Sequence, residues 1–130
     1  MTEKTAASVG NLGYHAHIYY DAAKTRGVAE RVCAAIEERF TVENDGFRDE
    51  PRGPHPISNV LLVFKSDQFQ PVVEWLMLNR DGLDVLVHPL TTDAVEDHRG
   101  YAIWLGNPVP LKLHTLPHGR GGRLPSGVTP

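Results

Sequence analysis

With 130 residues the chain is long enough for one domain with its own apolar core, so no covalent staple is required. A formal net charge of −3, with no Lys/Arg-rich run anywhere, excludes the usual kind of nucleic-acid protein. One cysteine, Cys33, excludes an internal disulfide and any cysteine-based zinc or iron–sulfur site, whereas seven histidines are a surplus that hints at metal chemistry.

Residues 1–12 are polar and small and read as a frayed leader. They lack the charged start and apolar run of a signal peptide, and no stretch is long and apolar enough to span a membrane, which predicts a cytoplasmic protein. A first strand is expected at about 13–20. Its period of two puts His15, His17 and Tyr19 on one face and Ala16, Ile18 and Tyr20 on the other. A helix follows over 22–39, with Ala29, Val32, Cys33, Ile36 and Phe40 at three- and four-residue spacing; Gly27 moves its start towards Thr25. Cys33 on that stripe reads as a buried hydrophobe.

Phe40–Glu43 is read as a short second strand, and 44–56, with three prolines and two glycines, as a loop. The apolar run Val60–Phe64 is expected to be a central strand. A second helix is placed at 70–79, with Pro71 in its first turn and Asp81-Gly82 as its stop. Asp84–His88 is a fourth strand cut off by Pro89. Beyond it come a helical turn within 91–98, an extra strand at 101–105, a short edge strand at 111–114 and an irregular Gly/Pro-rich arm at 117–130. The order β-α-β-β-α-β over a single domain at 13–116 predicts an α+β, ferredoxin-like split βαβ sandwich with an extra C-terminal strand or two. Both helices would lie on one side of the sheet, leaving the face of His15 and His17 open.

Candidate chemistry centres on the histidines. His15 and His17 stand on one face of a strand about 7 Å apart. His55 lies between prolines in Gly53-Pro54-His55-Pro56, which fix the backbone and lower the entropy lost in placing the ring. His88 ends the fourth strand, which neighbours the first in a split βαβ sheet. Three imidazoles from strand one, a stiff loop and strand four would suit a first-row metal. Asp97 beside His98 is a pairing that often orients an imidazole, while His114 and His118 read as solvated. No carboxylate (Glu43, Glu74, Asp97) stands at a telling spacing, so a three-histidine site, a water-completed site and a two-histidine–carboxylate site stay open. Phosphate-loop and serine-elbow motifs are missing.

Together the stretches His15-Ala16-His17-Ile18-Tyr19-Tyr20-Asp21, Gly53-Pro54-His55-Pro56, Trp75-Leu76-Met77-Leu78-Asn79-Arg80 and Leu86-Val87-His88-Pro89 resemble the DOPA 4,5-dioxygenase family. Asp97-His98 and Trp104-Leu105-Gly106 extend the likeness to about residues 13–113. The resemblance implies extradiol ring cleavage of a catechol such as L-DOPA by O2, with non-haem Fe(II) and a ferredoxin-like homodimer. It implies His17, His55 and His88 as metal ligands, and His15 and His98 as acid/base groups or groups that orient the ligands. Tyr19 and Arg80 are residue types suited to hold a substrate carboxylate. Two competing readings are a non-enzymatic module that binds a ligand or partner on the open face, and a cofactor-free monooxygenase whose activity would survive a strong chelator.

Overall fold

Val60, Leu61, Leu62, Val63 and Phe64 are all within 3 % of full burial, and a strand apolar on both faces belongs in the interior of a sheet. In the computed structural model, which describes residues 10–130, that run is one of the inner strands of a five-stranded sheet. Most of the expected leader lies outside the described residues. In chain order the main elements are β1 (Tyr14–Tyr19), α1 (Arg26–Arg39), β2 (Glu43–Arg48), β3 (Asn59–Phe64), α2 (Phe69–Asn79), β4 (Val85–Pro89), α3 (Ala94–Asp97) and β5 (Ile103–Leu105). The strands lie in the order β2-β3-β1-β4-β5, and every neighbouring pair is antiparallel. The fold is α+β.

The alternation in β1 is realised. Ala16, Ile18 and Tyr20 join Val60, Leu62, Phe64, Val85 and Val87 in one core with Ala29, Val32, Cys33 and Ile36 of α1 and Val72, Val73 and Leu76 of α2. His15, His17 and Tyr19 face the other way. Cys33 is buried in the core, and its thiol pKa is pushed up to about 12 by that burial, so it is a packing residue. No helix among the described residues is long and apolar enough to cross a membrane.

Three expectations fail for tertiary reasons. The second strand begins at Glu43 and occupies part of the stretch expected to be loop. Phe40 instead ends α1, its N–H bonded to the Ile36 carbonyl, and both Phe40 and Val42 pack on the core. Glu43–Arg48 has poor strand propensity, yet it pairs with β3 from Glu43↔Val63 to Arg48↔Asn59, and the register shifts between Asn44 and Phe47, where Gly46 takes φ +104. No strand forms at 111–114. Leu113–Thr115 is a 3-10 turn, and the Lys112 N–H bonds to the Pro54 carbonyl rather than to a sheet edge.

The sheet face away from the helices is not open. Leu61, Val63 and Leu86 on that face are each at most 3 % exposed. The 49–58 loop and the C-terminal segment lie over it. The segment is irregular, as expected, but it is tied down: Glu43 accepts from Arg123 and from both the backbone N–H and hydroxyl of Ser126. Pro125 packs so closely on Gly13 that a Cβ there would lie 2.7 Å from its ring.

Candidate metal centre

Five imidazoles meet beneath this cover. β1 supplies His15 and His17, and antiparallel register sets His88 of β4 directly beside His15. His55 comes from the 49–58 loop, where Arg52 and His55 exchange both backbone hydrogen bonds around Gly53, a position at φ +56 that favours glycine. His98 closes α3. They line a pocket of about 310 Å³ together with Asp45, Arg48, Arg52 and Arg123. Ring centroids lie 4.0 Å apart for His17 and His55, 4.0 Å for His88 and His98, and 4.9 Å for His15 and His88.

Hydrogen bonds fix which nitrogen each ring offers. Asn59 Oδ1 accepts from His17 Nδ1 at 3.0 Å, and the Asn59 amide nitrogen in turn donates to the Ile57 carbonyl. Pro89 O accepts from His88 Nδ1 at 2.8 Å, and Ala94 O accepts from His98 Nδ1 at 2.7 Å. A carbonyl oxygen can only accept, so each Nδ1 carries the hydrogen and each Nε2 keeps its lone pair. His55 Nδ1 is bonded to the Tyr19 hydroxyl at 2.7 Å; a hydroxyl can donate or accept, so His55 Nε2 offers a lone pair only when Nδ1–H donates to Tyr19. His15 is reversed: its Nε2–H donates to the Arg123 carbonyl, and Nδ1 is the free atom.

The consequence is unusual. His17 Nε2 and His88 Nε2 face each other at 3.2 Å, each already assigned a lone pair. Two such atoms repel unless a cation or proton lies between them. Two imidazoles about 2.1 Å from one ion are separated by roughly 3.0–3.4 Å, so the spacing fits a shared metal. Burial holds all five rings neutral, the state that ligates: His15 is pushed down to about 4 and His55 to about 3, and His17, His88 and His98 are lowered by the same cause. Among the described residues two groups bring their ligand atoms within 4.8 Å of one another: His15, His17 and His88, and His17, His55 and His98. The expected trio His17, His55 and His88 is divided between them, and His17 belongs to both.

Asn59 is fully buried and was not singled out by its sequence context. Since it sets the His17 tautomer, Asn59→Ala is expected to weaken metal affinity about 10–100-fold with the fold retained, measured by metal titration. Unchanged affinity would show that the His17 tautomer does not depend on it.

Other expected residues land elsewhere. Tyr19 is buried, stacked on Trp104 at 5.9 Å, and its hydroxyl serves His55 rather than the pocket. Arg80 ends α2 and donates to the Met77 carbonyl; it does not line the pocket. Asp97 does not pair with His98, because its carboxylate takes the Thr91 N–H and hydroxyl while His98 uses the Ala94 carbonyl. His114 and His118 are exposed, as expected of solvated histidines. Arg48, which does line the pocket, falls in a segment read as loop, and only the pairing of β2 with β3 places it there.

Fold and pocket define a small α+β protein with five converging imidazoles, whose spacing is compatible with a metal ion. The chain belongs to the Dopa 4,5-dioxygenase family, whose model matches residues 14–115. It is 35 % identical over 116 residues to a DOPA 4,5-dioxygenase from Amanita muscaria, covering 80 % of this chain and 49 % of that protein. It is 40 % identical over 75 residues to an uncharacterised 21.2 kDa protein from Botryotinia fuckeliana, covering 52 % of this chain and 41 % of that one. The chain therefore spans about half the length of these curated relatives, or less. A crystal structure from Nostoc punctiforme, provisionally described as a dioxygenase, superposes with a TM-score of 0.78 at 48 % identity, covering 81 % of this chain and 90 % of that one.

Proposed function

We propose that this chain is an extradiol dioxygenase that opens the ring of a catechol such as L-DOPA by 4,5-cleavage, using Fe(II) and O2. The observation that carries the reading is the pair of opposed Nε2 lone pairs on His17 and His88, 3.2 Å apart at the floor of a pocket. The family assignment and the Amanita muscaria relative supply the reaction class. The scaffold is ferredoxin-like on this reading: β3 lies between β1 and β2, which is the split βαβ order, and β5 extends the β4 edge. A cytoplasmic homodimer belongs to the same proposal.

His17 and His88, whose Nε2 atoms face each other, are the proposed ligands, with His55 as the third that the family resemblance implies, although His55 converges with His17 and His98 rather than with His88. Bound Fe(II) would bring the two catechol oxygens and O2 to one centre. The protein then has three tasks. Asn59, Tyr19 and the Pro89 carbonyl hold the ligand rings so that each Nε2 points inward. The C-terminal segment and the 49–58 loop limit water. His98, half-buried and packed against His88, keeps a free Nε2 that can take a catechol proton and return it. His15, tied to Arg123, offers Nδ1 as a second acceptor.

Fe(II)-loaded protein is expected to turn catechols into a yellow ring-opened product. His98→Gln is expected to slow that reaction about 10²–10⁴-fold with metal still bound. Silence across a broad catechol panel with the metal site full would end the proposal.

A further inference from the structure

We propose that His15 is a metal ligand, completing with His17 and His88 a seat built wholly on the sheet, and that His55 faces the bound substrate as a hydrogen-bond donor. The inference rests on the ring-cleavage reading and replaces the third ligand that the family resemblance implies. His15 and His17 are two residues apart on one face of β1, and His88 of β4 is the cross-strand partner of His15. The ligand atoms of these three come within 4.8 Å of one another, whereas His55 joins His17 and His98 but not His88. All three are at most 4 % exposed and stand on inner strands. His55 hangs from a loop, and His98 from the end of the four-residue α3. Groups on packed strands hold a ligand geometry more precisely than groups on loops.

Hydrogen-bond direction makes the same division. His17 and His88 donate from Nδ1 to the carbonyl oxygens of Asn59 and Pro89, and His15 donates from Nε2 to the Arg123 carbonyl. Each ring keeps one lone pair, on Nε2, Nε2 and Nδ1 respectively. A ring N–H given to a carbonyl is the usual support of a ligating imidazole. His55 has a different partner. Tyr19 is 2 % exposed, and among the described residues His55 Nδ1 is the one hydrogen-bond partner of its hydroxyl. If that hydroxyl accepted from His55, its own hydrogen would be buried without an acceptor, which folded proteins avoid. Tyr19 therefore donates, His55 Nδ1 accepts, and His55 Nε2 carries the hydrogen. A nitrogen in that state cannot ligate. On the pocket wall it can donate to an oxygen of a bound catechol, beside His98, whose Nε2 accepts.

Zinc, diamagnetic and redox-inert, is the probe, added to the whole chain without substrate. In nitrogen-resolved NMR of the histidine rings of the unmutated protein, zinc is expected on His15 Nδ1, His17 Nε2 and His88 Nε2, while His55 keeps its Nε2–H. The variants are titrated with zinc against a competing chelator. His15→Gln, whose amide can still donate to the Arg123 carbonyl, is expected to lose about 100-fold or more in affinity. That exceeds the roughly 10–100-fold usual for a side chain that only orients a ligand. His55→Gln and Tyr19→Phe are expected to keep zinc affinity within about threefold, while His55→Gln slows catechol cleavage by the Fe(II) protein about 10²-fold or more. The NMR measurement needs no variant, so it decides the matter even where a variant does not fold.

Zinc on His55 Nε2, an unligated His15, no zinc binding, full affinity in His15→Gln, a loss of about tenfold or more in Tyr19→Phe, or undiminished cleavage by His55→Gln would overturn the inference. Catechol cleavage by a protein whose metal sits on His55 would sink it while leaving the ring-cleavage reading intact. Zinc held by His15, His17 and His88 without cleavage of any catechol by the Fe(II) protein would keep the seat and remove that reading, the role of His55 with it.

Discussion

His17→Ala is expected to abolish metal binding and ring cleavage together. His17 is the one histidine shared by both groups of converging ligand atoms, and its Nε2 is the one that faces His88 at 3.2 Å. Removing it separates His55 from His88, so the loss in metal affinity should exceed the roughly 10–100-fold expected of Asn59→Ala. The metal-free variant should still fold. Orphaning Asn59 Oδ1 costs about 1–3 kcal/mol, against a typical domain stability of 5–15 kcal/mol, and one of two opposed lone pairs is removed at the same time. The readout is thermal. A divalent ion at about 100 times its Kd should stabilise the unmutated protein by about 2.7 kcal/mol, a rise of several degrees in Tm. The variant should show no rise. Unchanged metal affinity in His17→Ala would dismiss the proposed centre.

The second large effect is acid lability of the metal-free protein. In the unfolded chain each histidine takes a proton near pH 6.5, whereas burial keeps His15 neutral down to about 4 and His55 to about 3. The folded pKa is depressed below the unfolded one, so between these values the unfolded state binds more protons. Stability is therefore complete above about pH 6.5 and declines as the pH falls towards the folded values. Each unit of difference corresponds to about 1.4 kcal/mol, and several rings share one pocket, so the total is a sizeable part of the stability of a small domain. Urea midpoints of metal-stripped protein should fall steeply from pH 7 to pH 4.5. A bound metal should shift that loss to lower pH, because ligation needs the neutral ring. A flat midpoint over this range would mean that the cluster is more hydrated than the structure places it.

The helices, the inner strands and the two faces of β1 were legible because they rest on local periodicity. Ala16 and Ile18 alternate with His15 and His17, and α1 repeats its apolar residues at helical spacing. The histidines were conspicuous for the same local reason, and their convergence could be anticipated because β4 must lie beside β1 in the split βαβ order. The strand at Glu43–Arg48 was not legible. Asn, Asp and Gly are turn residues, and only hydrogen bonds to β3 hold them extended. Arg48 was missed with it, and Arg80 was preferred on residue type alone. The closed face was missed because tail residues such as Arg123, Ser126 and Pro125 show no pattern that signals docking, and their partners Glu43 and Gly13 lie 80 or more residues away.

By itself, then, the amino-acid order determined which side chains a helix or strand presents to each side, and that one strand carries two imidazoles away from the core. Tertiary structure alone decided which nitrogen of each ring is free, since the carbonyls of Asn59, Pro89, Ala94 and Arg123 that settle it are positioned by the packed fold. It also decided that the pocket is roofed and ringed with arginine. Periodicity is a property of neighbours along the chain, whereas hydrogen-bond direction and enclosure depend on atoms brought together from far apart in it.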